Sequence, residues 1–369
     1  MTAEHSLCIQ SLAVRSFRNL SRVDIEPSPG FNVLAGDNGQ GKTSLLEAVY
    51  VLATSKSFRT AKPIEAVEHG ADTATVRATI LEWGTPRDQS VGLGKRQRSV
   101  RVDGKRPPTL VSYATRTPAV VFHPGALTLS SGGGTERRKL LDRVALYADA
   151  SPGAPAAYAH AQRSRQRVLE VRGEKSAELD GWEELMVQHG LALSSAREVA
   201  ARVLAPETEE AFRRIGAPGG ELRVIYVQSA PRDPAAFREE LARNRARDRA
   251  RRSPSVGPHR DDLLLELGGR GARTTASQGQ HRAIVLALHL AEIEVVTRLR
   301  GLRPILLLDD VSSELDRHRT AALFASLRAQ QGQVLLTTTR PDLLETGVLG
   351  PAAERRDYLV SGGKITLAT

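Results

Sequence analysis

The octapeptide Gly36-Asp37-Asn38-Gly39-Gln40-Gly41-Lys42-Thr43 constrains this chain more than any other stretch, because it fits GxxxxGK[ST] at every fixed position. Such a loop needs glycines so that its backbone can curl and turn several N–H groups inward on a phosphate. Its lysine bridges the β- and γ-phosphates, and its threonine hydroxyl joins a Mg²⁺ shell. It also needs a buried strand before it and a helix after it. Phe31–Ala35 reads as that strand, and residues 44–50 read as the helix, with Leu45, Leu46 and Val49 on one apolar face. Gly36 through Ser44 are therefore the candidate nucleotide-binding residues, with Lys42 a candidate catalytic cation and Thr43 a candidate Mg²⁺ ligand. The loop alone specifies a nucleoside triphosphate and no more, since kinases, transporters, GTPases and motors all carry it.

A second segment supplies what the loop lacks. Ile305-Leu306-Leu307-Leu308-Asp309-Asp310 has the form of a parallel strand, apolar on both faces and ending in acid. In a phosphate-loop enzyme Asp309 anchors the metal, and Asp310 orients or deprotonates the attacking water. The long block between Thr43 and Asp309 must then be looped out for the two to meet. Ahead of an apolar helix over residues 283–296 stands Ser277-Gln278-Gly279-Gln280-His281-Arg282. Ser277 and Gln280 suit a capping box. Gly279 weakens a first helical turn and is expected where backbone must approach a phosphate closely.

The chain has 369 residues, 40% hydrophobic and 25% charged, which suits a soluble protein with two or three compact regions. No apolar run reaches the ~18 residues of a membrane span, and residues 1–10 carry no signal-peptide core. Cys8 is the sole cysteine, so internal disulfides and Cys-rich metal sites are excluded and an intracellular, cytoplasmic setting is expected. The formal charge is +10, mostly from arginine, as suits a protein that binds a polyanion. The charge is clustered. Residues 95–106 hold six basic side chains against Asp103, and residues 238–252 hold seven arginines against three acids. Strands are expected at 8–28 (two, with an Arg18-Asn19 turn), 73–82, 90–102, 120–122, 222–227 and 262–267. Asp103-Gly104 is a hairpin signal. Residues 136–252 read as mostly helical, an insertion into a nucleotide-binding domain built from both ends of the chain.

Together these segments resemble the heads of ABC-type ATPases, and in particular the RecF family, DNA recombination and repair ATPases related to SMC heads. The resemblance rests on residues 16–20, 36–50, 57–59, Gly257-Pro258-His259-Arg260-Asp261-Asp262, 277–282, 306–316 and Thr337-Thr338-Thr339, in the family's order. It implies an α/β fold: a phosphate-loop core with an antiparallel β subdomain, plus a mostly helical inserted arm. The expected boundaries are 1–122 and 255–369 for the head and 123–254 for the arm. It implies ATP and Mg²⁺ as ligands and a weak, DNA-stimulated ATPase. It also implies that Ser277, Gln278, Gly279 and Gln280 form a signature motif that contacts the γ-phosphate of a second protomer. Ser313, Glu314, Leu315 and Asp316 would form the D-loop near that interface. ATP would hold a homodimer on double-stranded DNA, with Arg98, Arg101, Lys105, Arg137 and Arg138 as candidate DNA contacts. Recombination mediators of the RecO and RecR type are the implied partners, and loading of recombinase at gaps the implied task.

The chain departs from the family patterns in three places. Asp310 stands where most ABC heads carry Glu, although RecF proteins share the shorter acid, which suggests slow hydrolysis. The switch histidine of ABC heads is replaced within Thr337–Thr339. Gly125 and Ala126 stand where RecF-like chains usually carry acids. His259 suits either a structural network or a nucleotide role, and His281 and His289 read as partly buried or surface residues. Two other classes share the loop, the nucleotide-binding subunit of an ABC transporter and a small-molecule kinase. The long arginine-rich insertion and the Ser277 segment argue against both.

Overall fold

Phe31–Ala35 is buried along nearly its whole length because strands flank it on both sides. It lies inside a six-stranded sheet of order Lys364–Leu367, Arg355–Ser361, Phe31–Ala35, Val334–Thr338, Ile305–Leu308 and Ala119–Phe122. All neighbours are parallel except the first pair, which is a hairpin. Phe31–Ala35, Val334–Thr338, Ile305–Leu308 and Ala119–Phe122 are buried and read as near-continuous apolar runs, whereas Arg355–Ser361 alternates and Lys364–Leu367 is largely exposed. Leu308 pairs with Leu336, and Leu336 with Val33, so the strands end at one edge and their following loops gather there. That register brings Asp309 to the phosphate loop. The structure is a computed structural model that describes residues 7–94, 98–216, 219–310, 332–340 and 355–368.

The chain divides into two compact units, residues 1–126 with 296–369 and residues 127–295. In the first, a five-stranded antiparallel sheet has the order Leu20–Ile25, Leu7–Phe17, Thr73–Glu82, Thr85–Gly94 and Arg98–Val102. Its inward residues, among them Leu12, Val14 and Val76, share one apolar core with Leu45, Leu46 and Val49 of the loop helix Lys42–Thr54 and with Leu34 and Leu307 of the parallel sheet. Truncating Leu46 to Ala in such a core costs roughly 2–5 kcal/mol. The expected single strand over 90–102 is two strands of a hairpin, Thr85–Gly94 and Arg98–Val102. The Asp103-Gly104 turn forms with both residues left-handed, φ 49° and 71°, and Val102 bridging Lys105.

The second unit is mostly helical. Its long helix Glu178–Ile215 buries Leu179, Met186, Val187, Leu193, Ala200 and Leu204 at helical spacing. Tyr158, Met186, Phe237 and Leu241 belong to one of its cores. The helix Ala154–Arg172 starts after the Ser151-Pro152-Gly153 break, as its sequence predicts. The expected arm boundary at 254 is not where the chain divides. Asp262–Leu267 pairs antiparallel with Leu222–Val227, and this long-range pairing ties the segment after 254 to the helical unit. The division falls instead within the helix Gln278–Arg300.

Candidate nucleotide site

Gly41 closes the phosphate loop with φ 119°, a conformation that side chains resist, and a Cβ there would stand 2.9 Å from Leu20 Cδ2. The helix begins at the next residue, so its N-terminal amides and positive dipole end face whatever the loop encloses. Lys42 is 7% exposed, and its Nζ donates to Gly36 O at 2.5 Å and Asp37 O at 2.8 Å. Burial lowers its pKa, and Asp310, Asp309 and Asp37 act in the other direction. Asp37, Asn38 and Gly39 are exposed at the loop's crown, while Gln40 is half-buried and Ser44 buried.

Thr43 Oγ1 donates to Asp309 Oδ1 at 2.8 Å across 266 residues of sequence. Thr337 Oγ1 donates to the same oxygen at 3.0 Å and accepts from the Asp310 amide at 2.9 Å. Burial pushes the Asp309 carboxyl above its ordinary value; the Thr43 and Thr337 hydroxyls pull it back, and neighbouring Asp310 adds to the rise. A lysine lowered and an acid raised by the same dry surroundings mark a site that favours bound counter-charges. Thr43 and Asp309 offer a hydroxyl and a carboxylate to one point, the hard oxygen donors Mg²⁺ prefers. Among the described residues no cluster of three or more His, Cys, Asp or Glu side chains forms a metal site. An ion here would therefore complete its shell with phosphate oxygens and water.

The structure adds residues that the sequence patterns do not single out. Glu47, on the loop helix, is fully buried. It accepts from Arg18 at 2.8 and 3.0 Å, from Arg59 at 3.2 Å and from Ser57 at 2.6 Å. Arg59 is close enough to Asp309 to favour its charged form. A glutamate on an otherwise apolar helix face was the available signal. Thr337 carried none beyond its place in a run of three threonines.

Ser277 and Gln278 are exposed at the start of the helix Gln278–Arg300 in the second unit. The capping box forms: Ser277 N donates to Gln280 Oε1 at 2.7 Å and Gln280 N to Ser277 Oγ at 3.3 Å. His281 is half-buried and shares a 2.7 Å hydrogen bond with Ser130. His289 is buried beside Glu292, not at the surface. Ser313, Glu314, Leu315 and Asp316 lie outside the described residues, as do Lys95 and Arg96.

The candidate DNA contacts separate. Arg101 and Lys105 are exposed, Arg101 on the outer face of the antiparallel sheet in one cross-strand row with Ser90 and Arg77. Arg98, three residues earlier in the same strand and also exposed, points to the other face and donates to Ser55 O at 2.7 Å, as Arg101 donates to Gly104 O at 2.9 Å. Arg137 is 4% exposed, bidentate to Asp262 at 2.8 Å and bonded to Leu129 O and Gly132 O. Its guanidinium is spent inside the helical unit, which corrects its assignment to DNA. Arg138 is half-buried and donates to Asp261 O. The segment at 257–262 builds a network: Tyr158 with His259 at 2.8 Å, and Asp261, fully buried, accepting from Ser194, Arg197, Tyr226 and the Ser229 amide. The His259 ring is thereby tied to the helical unit, as a structural network requires.

Residues 8–350 match the family model described as the RecF/RecN/SMC N-terminal domain. The chain is 42% identical over 366 residues to the DNA replication and repair protein RecF of Anaeromyxobacter sp. (strain Fw109-5), covering 96% of this chain and 98% of that one. To the protein of that name from Geobacter sulfurreducens it is 37% identical, over 97% and 99%. Among solved structures, the recombination mediator RecF with ATP in the RecFOR pathway superposes with TM-score 0.86 at 25% identity, over 100% of this chain and 99% of that one. The Smc head of Pyrococcus furiosus shares the fold at TM-score 0.55 and 15% identity, over 98% and 96%.

Proposed function

The chain belongs to the RecF family of DNA replication and repair proteins, related to SMC heads, and on that premise we propose that it uses ATP to pair two heads on double-stranded DNA. It is an ATP-binding ATPase of the ABC type. The observation that carries the reading is the 2.8 Å bond from Thr43 to Asp309, which joins the phosphate loop to the acid strand in one site. Within it, the loop amides and Lys42 hold the triphosphate and offset the charge that grows on the leaving phosphate. Thr43 and Asp309 would hold Mg²⁺, which would neutralise part of the negative charge of the phosphates. Asp310 orients the attacking water and takes its proton. Ser277 and Gln278, exposed at a helix N-terminus, are suited to receive the γ-phosphate bound to a second copy.

Hydrolysis is slow and DNA-stimulated, and its role is to release the pair. Partners are recombination mediators of the RecO and RecR type, acting in the cytoplasm at gaps where recombinase is loaded. The family name of the relatives and the excess of basic residues support the DNA reading. No described helix is long and apolar enough to cross a membrane. Sedimentation with duplex DNA, with and without ATP, tests the proposal. ATP should convert monomer to dimer, and Ser277→Arg should keep ATP binding while losing both dimer and turnover. Wild-type turnover in that variant would show that the site does not act in trans.

A further inference from the structure

Gln40 occupies a position of the phosphate loop whose identity the motif leaves open, yet it is gripped from 322 residues away. The Gly363 amide donates to Gln40 O at 2.9 Å, and the Gly362 amide donates to Gln40 Oε1 at 2.6 Å. These glycines form the turn between Arg355–Ser361 and Lys364–Leu367, and both are left-handed, φ 54° and 77°. That conformation presents two successive amides to one residue. The same hairpin presses on the start of the loop, where a Cβ at Gly36 would overlap the Val360 carbonyl oxygen. From the other side comes the Arg18-Asn19 turn: Asn19 Nδ2 donates to Gly39 O at 3.2 Å and Oδ1 accepts from Ser44 Oγ at 2.8 Å. The two turns meet, since a Cβ at Gly363 would overlap Asn19 O.

We propose that Gln40 and Asn19 are positioning residues of the nucleotide site, and that the C-terminal hairpin is a brace that nucleotide binding tightens. The reason lies in the peptide plane. In a planar trans peptide the carbonyl of one residue and the N–H of the next point in opposite directions. Asn19, by holding Gly39 O outward, turns the Gln40 N–H inward. Gly363, by holding Gln40 O outward, turns the Gly41 N–H inward. Two of the loop amides that must converge on phosphate are thus aimed before any ligand arrives, which removes an ordering cost from binding. Coupling of this kind is reciprocal, so a phosphate that locks those amides also locks the turn that holds them.

This inference rests on the nucleotide reading, and one experiment separates the two. The full chain is titrated with a fluorescent ATP analogue, and amide hydrogen exchange of residues 361–364 is followed with and without ATP. Saturating ATP should slow exchange at Gly362 and Gly363 several-fold. Gln40→Ala should weaken ATP affinity about tenfold, abolish the ATP-dependent slowing at Gly362, and leave the unfolding midpoint of the nucleotide-free chain within about 2 °C of wild type. ATP binding with exchange at the turn unchanged would overturn the brace, as would a Gln40→Ala chain that binds ATP like wild type. Failure of the unsubstituted chain to bind ATP is a different result, and it would overturn the nucleotide reading along with the brace.

Discussion

Asp310 is held at φ 49°, in the left-handed region, with its amide bonded to Thr337. A carboxylate kept in a strained backbone beside a buried acid suits a residue that acts on water rather than one that closes a turn. Asp310→Asn should bind ATP normally and lose at least about 100-fold in turnover; light scattering should find ATP-trapped dimers. Thr337→Val keeps the shape and removes the donor to Asp309. Since that hydrogen bond favours the carboxylate, its loss raises the Asp309 pKa further. Turnover should fall about tenfold, and the acid limb of the pH–rate profile should move to higher pH, because the proposed Mg²⁺ would require the deprotonated acid. Of these residues, Thr43 and Asp309 were legible from their motifs, whose spacing to strand and helix is dictated by the phosphate. What Thr337, Asn19 and Gln40 bond to was not. Their partners lie on other strands, and nothing local in their own segments marks the pairing.

At the scale of elements, the helix Gln278–Arg300 starts at the exposed Ser277 and Gln278, which are proposed to act in trans, and is also tied into the helical unit by charge. Glu292 is buried and bidentate with Arg143 at 2.8 and 3.0 Å. Burial alone would raise this carboxyl, but the Arg143 guanidinium and the His289 ring outweigh it and hold the pKa at about 2. A depressed acid adds stability above its unfolded value, near 4.5, and loses that contribution as pH falls toward 2. Arg143→Ala should therefore cost about 3 kcal/mol at pH 7, and urea melts should show the difference from wild type shrinking below pH 4.5. The helix itself was legible as an apolar run after a capping box. Its membership was not, because the strand that draws residues 262–267 toward the helical unit lies some forty positions upstream, across the arginine-rich helices Pro234–Arg243 and Arg245–Arg251.

For the whole molecule, basic composition pointed to DNA, but composition cannot say which arginines are already taken. Arg137 is buried and committed to protein oxygens, while Arg98, Arg101 and Lys105 are exposed, Arg98 and Arg101 each donating to one backbone carbonyl. Replacing both Arg101 and Lys105 by Ala should make the slope of log affinity against log salt shallower by roughly 1.8, about 0.9 for each phosphate no longer neutralised. Anisotropy on duplex DNA over a salt series measures it, and an unchanged slope would remove this face from the DNA surface. The parallel sheet has a consequence in time. The strand that feeds the phosphate loop is complete by residue 35, yet both strands that pair with it, Val334–Thr338 and Arg355–Ser361, come some three hundred residues later. On the ribosome the helical unit is one continuous segment and emerges whole while that strand still waits without its neighbours. A nascent chain therefore has no nucleotide pocket until the strands at 334–338 and 355–361 have been made, and a stop codon ahead of them leaves an apolar strand exposed to aggregation in place of a weakened ATPase.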